Sequence, residues 1–162
     1  MIDARKLLIL GGLALAIVGM SYGLYFAVFV EHQTLDTIGG SLATSFVLAA
    51  ERKMPESQAA LDAYAEAKYV YTRQVDVHSH WIGLGLLLIV LGAAFERVAF
   101  GDRLRSLLAL SLLVGAAIFP LGVILQIYDH GPAPRAMAIL GSGLVIAALS
   151  GVALGFARAS DS

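Results

Sequence analysis

The residues of this chain best suited to chemistry are four histidines, each at a junction between an apolar stretch and a polar one. Every one of them has an acidic residue within four positions. A neutral imidazole beside a carboxylate is the usual donor set of a metal or haem site. The candidate ligands are therefore His32, His78, His80 and His130, with Glu31, Asp76 and Asp129 as their carboxylate partners or as alternative ligands.

Composition decides the class of protein to which these histidines belong. The chain has 162 residues, of which 59% are hydrophobic and only 14% charged, whereas soluble domains carry about 25% charged residues. This composition predicts an integral membrane protein. Cysteine is absent, which excludes thiolate metal sites and iron–sulfur clusters. The net charge of -1 leaves no basic surplus for binding nucleic acid.

Four apolar stretches are long enough to cross a hydrocarbon core of about 30 Å. We place them at residues 7–30, 78–99, 105–128 and 135–157. The predicted fold is all-α, a single membrane domain of four transmembrane helices over residues 1–162. A helical hairpin extension over residues 31–77 separates the first two spans.

The distribution of charge predicts the orientation of these spans. Short cytoplasmic segments are enriched in lysine and arginine. The N-terminus, the loop between the second and third spans, and the C-terminus carry Arg5, Lys6, Arg97, Arg103, Arg105 and Arg158. The segment 31–77 carries more acids than bases. We therefore expect both termini in the cytoplasm, and the extension and the histidines at the periplasmic face of a bacterial inner membrane.

The sequence of the extension 31–77 predicts two antiparallel helices joined by a turn at Pro55. The residue before a proline is disfavoured in helical conformation, and the two halves are nearly equal, because Met54 lies 22 residues after His32 and 24 before His78. An antiparallel hairpin would bring His32 level with His78 and His80. The pair Gly39-Gly40 predicts a break or kink in the first half. Residues 35–50 could extend into water, lie on the membrane surface or re-enter it.

The cluster around His78 and His80 is the most specific of the three. On a helix, Asp76 and His80 share a face, whereas His78 points nearly the opposite way. His32 and Asp36 repeat the same four-residue spacing on the other arm of the hairpin. For any single histidine here, an interfacial polar residue without further function is the competing explanation. The convergence of all four on one rim is what favours a site.

The predicted spans contain no ionisable residue in their interiors. Proton-coupled transporters and pumps need acidic, basic or histidine residues at that depth, so transport across the membrane is disfavoured. Two pairs of small residues at four-residue spacing, Gly19 with Gly23 and Gly151 with Gly155, predict close helix packing.

The donor set leaves the cofactor open. Two axial imidazoles from different helices, with glycines and aromatic residues around them, would suit haem b. Three histidines and a carboxylate would equally suit copper or zinc. A carboxylate-rich di-iron site is less well supported, because the Glu-x-x-His spacing of bundle di-iron proteins is absent from the sequence.

The segment 73–85, with the sequence RQVDVHSHWIGLG, resembles the second transmembrane helix of haem–copper oxidase catalytic subunits, particularly those of the nitric-oxide-reductase-like branch. In that family an arginine precedes a histidine that ligates low-spin haem b, and a glycine follows. The resemblance implies that His78 or His80 is a haem ligand. It covers only this short segment, and the family's larger helix count and paired-histidine copper site have no counterpart here.

These observations predict a small membrane-bound haem b or metal protein in respiratory electron transfer or diatomic-gas handling. One alternative is a periplasm-facing copper or zinc handling protein for oxidase assembly. Another is a cofactor-free accessory subunit of a larger membrane complex. The expected partners are the lipid bilayer and, through the 31–77 hairpin, a respiratory-chain or assembly protein. A homo-oligomer is compatible with the sequence.

Overall fold

The computed structural model describes residues 3–160, which form five α-helices and no strand. A short 3-10 turn at Phe95–Arg97 follows the third helix. The helices are α1 (Ala4–Phe29), α2 (Glu31–Ala50), α3 (Met54–Ala94), α4 (Asp102–Leu125) and α5 (Pro132–Ser160). Four stretches are long and apolar enough to span a membrane: Ala4–Phe29, Met54–Arg97, Asp102–Leu125 and Pro132–Ala159. The predicted all-α membrane fold is confirmed.

The extension is a hairpin of α2 packed on the outer half of α3. The chain turns between them at residues 51–53, where Arg52 has a positive φ of 60°, directly before Pro55. The buried Ser57 hydroxyl donates a 2.9 Å hydrogen bond to the backbone carbonyl of Ser45 and ties the two arms near the turn. At 41 residues, α3 is about 60 Å long, twice the hydrocarbon thickness. Helix α3 is therefore about 30 Å longer than one membrane crossing needs.

The chain breaks before α2 rather than at Gly39-Gly40, where the sequence predicted a break. Helix α2 runs without interruption through Gly39-Gly40, so the predicted break there is wrong. The interruption lies at Val30, whose φ of -124° and ψ of -41° separate α1 from α2. A mid-helix glycine costs about 1 kcal/mol relative to alanine, and packing of α2 along α3 overrides that cost.

Small residues bring the membrane helices into close contact. A Cβ added to Gly85 of α3 would lie 2.7 Å from the carbonyl oxygen of Gly12 in α1, and one on Gly115 of α4 would lie 2.7 Å from that of Gly141 in α5. Backbones in these two pairs thus touch directly, as is typical of membrane bundles. A Cβ on Gly19 would lie 2.9 Å from the backbone nitrogen of Ile82 in α3, so the predicted packing role of Gly19 is confirmed.

Candidate functional site

The candidate site is built on the middle of α3, where the helix leaves the bundle and enters the extension. Residues two apart on an α-helix point about 200° apart, so His78 and His80 face different neighbours. The His78 ring packs towards α1, where its centroid lies 6.3 Å from that of Phe26. A Cβ on Gly23 would come within 3.2 Å of the His78 ring, so that glycine makes room for the imidazole. The structure confirms the prediction that the side chains of His78 and His80 point in different directions.

His80 faces α4 instead. Its ring stands nearly perpendicular to that of Phe119, with the centroids 4.7 Å apart. The Nδ1 atom lies 2.6 Å from the backbone carbonyl oxygen of Asp76. The corresponding atom of His78 lies 3.0 Å from the carbonyl oxygen of Gln74.

These two contacts decide the tautomer of both imidazoles. A carbonyl oxygen can only accept, so in each contact Nδ1 must carry the proton and donate it. In a neutral imidazole the lone pair then lies on Nε2. Both side chains are therefore held by the backbone of their own helix in the tautomer that binds a metal or haem iron through Nε2.

Arg73 extends the His80 face of α3 outwards. It lies seven residues before His80, which places it two turns or about 10 Å further out on nearly the same face. One of its terminal nitrogens, NH1, is 3.6 Å from Asp76, and its guanidinium lies over the Tyr69 ring at 5.1 Å. Its Nε is buried without a hydrogen-bond partner. A buried N–H that lacks an acceptor is costly. Because Nε is inaccessible, an acceptor from outside the chain would meet the part of the Arg73 side chain that is exposed, which is 32% of it.

The other two histidines lie away from this position. His130, after α4, places its Nε2 3.9 Å from a carboxylate oxygen of Glu66 and its ring 5.4 Å from that of Tyr69. It thus contacts the extension about one to two turns further out than Arg73, and the Tyr69 ring lies in contact with both residues. His32 pairs with Asp36 of its own helix at 3.5 Å, and its side chain is 90% exposed.

The three predicted carboxylates also serve separate contacts. Glu31 accepts a 3.2 Å hydrogen bond from the Tyr71 hydroxyl, and this bond joins α2 to α3. The pKa of Tyr71 is raised above its ordinary value of 10.0. Partial burial is the main cause, and the hydrogen bond to Glu31 is the second. Asp76 pairs with Arg73, while Asp129 accepts a 2.7 Å hydrogen bond from the backbone N–H of Gly131.

The structure therefore does not gather the predicted ligands into one group. Between residues 3 and 160, no three histidine, aspartate or glutamate side chains are placed to hold a metal ion together. Within the same range the ring contacts of the imidazoles are with Phe26, Phe119 and Tyr69, and none is with another imidazole.

Sequence reasoning assigned no role to Glu66 and Tyr69 of the His80 face, and it noted Arg73 only through the resemblance of segment 73–85. Glu66, Tyr69, Arg73, Asp76 and His80 follow one another at intervals of three and four residues, which is the spacing of a single helix face. That spacing could have identified Glu66, Tyr69 and Arg73 as one polar stripe with the Asp76–His80 pair. Phe119 had no such signal, because its contact with His80 depends on how α4 packs on α3.

We compared the chain with protein-family models, with curated protein sequences and with solved structures, and none of them matches it.

Proposed function

We propose that the chain is a small membrane-bound haem b protein that acts in diatomic-gas handling or respiratory electron transfer, with its cofactor at the periplasmic rim. His80 would hold the haem iron through Nε2, and Arg73 would hold a carboxylate of the porphyrin. Haem bound in this way supplies gas binding or one-electron transfer at its iron.

The observation that carries the proposal is the position of Arg73 on the His80 face of α3, with a side chain that is 32% exposed. Haem b has carboxylate side chains on one edge, and a charge-assisted hydrogen bond from arginine is the strong way to hold a carboxylate. His80 and Arg73 are separated along the axis of α3 by two helical turns, or about 10 Å. An axial imidazole and a carboxylate partner thus lie on one face, with the arginine on the side towards water.

His78 supports the same cofactor less well. Its face of α3 is occupied by Gly23 and Phe26 of α1, so a macrocycle there would have to separate two closely packed helices. The His80 ring is also covered, by Phe119 of α4 at 4.7 Å between centroids, so a macrocycle there would have to displace that ring. The proposal chooses His80 because Arg73 lies on the same face of α3.

The test is the reduced-minus-oxidised visible spectrum of the purified protein, together with metal analysis. We expect a b-type band in the wild type, loss of that band in His80→Ala, and retention in His78→Ala. His32→Ala is the matched control, because that exposed imidazole contacts only its own helix. Loss of the band in His78→Ala alone would move the ligand to the α1 face. A colourless protein that contains copper or zinc would instead support a metal-handling role in oxidase assembly.

A second candidate function, an accessory subunit of a larger membrane complex, is favoured by the tip of the hairpin. Phe46, Val47 and Met54 are all more than half exposed there, about 30 Å beyond the expected rim. Exposed apolar side chains outside the bilayer are typical of a protein contact. A colourless, metal-free protein that cross-links through this tip to one defined membrane complex would replace the haem proposal with this role.

A further inference from the structure

A polar cavity of about 310 Å³ lies at the opposite end of the bundle from the histidines. It is enclosed by the start of α1, the 3-10 turn after α3 and the start of α4. Its lining consists of Asp3, Ala4, Arg5, Phe95, Glu96, Asp102, Arg105 and Ser106. The volume is at the lower limit of small-molecule sites, so the cavity suits a small headgroup rather than a large ligand.

The charges around this cavity alternate in sign. Arg5 of α1 donates a 2.9 Å hydrogen bond to Glu96 of the 3-10 turn, and Arg105 pairs with Asp102 within α4. Asp3 accepts from the backbone N–H groups of Arg5 and Lys6 and caps α1. The two arginines and three carboxylates give the lining a net charge of -1. A ligand that carries both a cation and an anion matches this lining better than a purely anionic one.

The cavity lies at the level of lipid headgroups. All of its walls are the first or last turns of membrane-spanning helices, at the end that the positive-inside pattern predicts to be cytoplasmic. Phe95, only 1% exposed, lies on its bundle side. Further along the same helices, Leu10 and Leu107 are at least 60% exposed, as apolar side chains facing acyl chains are.

We propose that this cavity binds the headgroup of phosphatidylethanolamine. The lipid phosphate would accept hydrogen bonds from Arg105 and the Ser106 hydroxyl, since arginine and hydroxyl groups are good phosphate donors. The ammonium group would donate to Glu96 and Asp102. Phosphatidylcholine carries the same charges but has no N–H to donate, and phosphatidylglycerol carries no cation. The site should therefore separate the three lipids.

The experiment titrates each lipid, with identical acyl chains, into the detergent-solubilised full chain, and it follows binding by native mass spectrometry. We expect phosphatidylethanolamine to bind about tenfold more tightly than phosphatidylcholine, which is what one hydrogen bond to a charged group is worth. It should also bind more tightly than phosphatidylglycerol. Equal binding of all three lipids, or preferential binding of phosphatidylglycerol, would overturn the proposal.

Three substitutions localise the effect. Arg105→Gln should remove most of the preference for phosphatidylethanolamine. Arg103→Gln, which removes the same charge from the same turn outside the lining, should keep it. Glu96→Gln raises the net charge of the lining to zero, so it should shift selectivity towards phosphatidylglycerol. If Arg103→Gln and Arg105→Gln behave alike, the preference comes from general surface charge and the site is refuted.

Discussion

The direct contact between α1 and α3 can be tested with one pair of alanine substitutions. Gly83 and Gly85 lie two residues apart in α3, and they differ in surroundings. A Cβ at Gly85 would lie 2.7 Å from the Gly12 carbonyl oxygen and 2.8 Å from the Ala16 nitrogen, whereas one at Gly83 would meet nothing within 4 Å. Both neighbours of Gly85 are backbone atoms, which cannot rotate away. Restoring an ordinary separation of 3.4 Å needs about 0.7 Å of movement between the helices.

The magnitude follows from this difference. Both substitutions gain about 1 kcal/mol of helix propensity, so comparing them isolates the packing effect. A gap of 0.5–1 Å removes about a quarter to a half of each contact's dispersion energy, and overpacking costs about 1–3 kcal/mol. We therefore expect the free energy of unfolding of Gly85→Ala to be about 1–3 kcal/mol lower than that of Gly83→Ala.

Thermal or denaturant unfolding, followed by circular dichroism in one detergent, measures the difference. For a chain of this size it corresponds to about 2–4 °C per kcal/mol. Equal stability of the two variants would refute the backbone contact between α1 and α3. It would also remove the argument that the His78 face is closed to a cofactor.

Two further predictions concern the hairpin. Tyr71→Phe should remove one phenolate absorbance transition above pH 10, because the Tyr71 pKa is raised, and Glu31→Gln should lower the pH of that transition. The stabilisation from their bond is complete below pH 10 and is lost as the pH rises through the folded-state pKa. Ser57→Ala should cost about 1 kcal/mol and speed tryptic cleavage at the 51–53 turn. Ser41→Ala, which loses only a bond within its own helix, should not; equal cleavage would contradict the tie to Ser45.

Much of the fold could be predicted from composition and spacing. Hydropathy identified the four spanning helices, and Pro55 identified the turn of the hairpin, because both signals act within one segment. The break at Val30 lies at the predicted boundary between the first span and the extension, but the sequence did not predict an interruption of the helix there. Gly39-Gly40 predicted a helix break that the structure does not have. Its local propensity cost is real, but packing of α2 against α3 outweighs it.

The candidate site was predictable only along single helices. The spacing of Asp76, His78 and His80 gives their faces on α3 from helical geometry alone. Whether different helices bring His32 and His130 to the same place depends on their height and rotation relative to α3. The structure places His130 beside Glu66 and His32 beside Asp36. The contact of His80 with Phe119 required the tertiary arrangement, whereas the stripe from Arg73 to His80 follows from spacing along α3 alone.

The central claim, a haem held by His80 and Arg73, is tested most directly by haem content. Pyridine haemochrome assay of the purified protein, in the wild type and in Arg73→Gln, measures it against protein concentration. We predict stoichiometric haem b in the wild type and weakened retention during dialysis in Arg73→Gln, with the His80 ligand still present. Haem that dialyses from both proteins at the same rate would contradict the role of Arg73. A wild-type protein without haem, purified from cells that make haem, would contradict the claim itself.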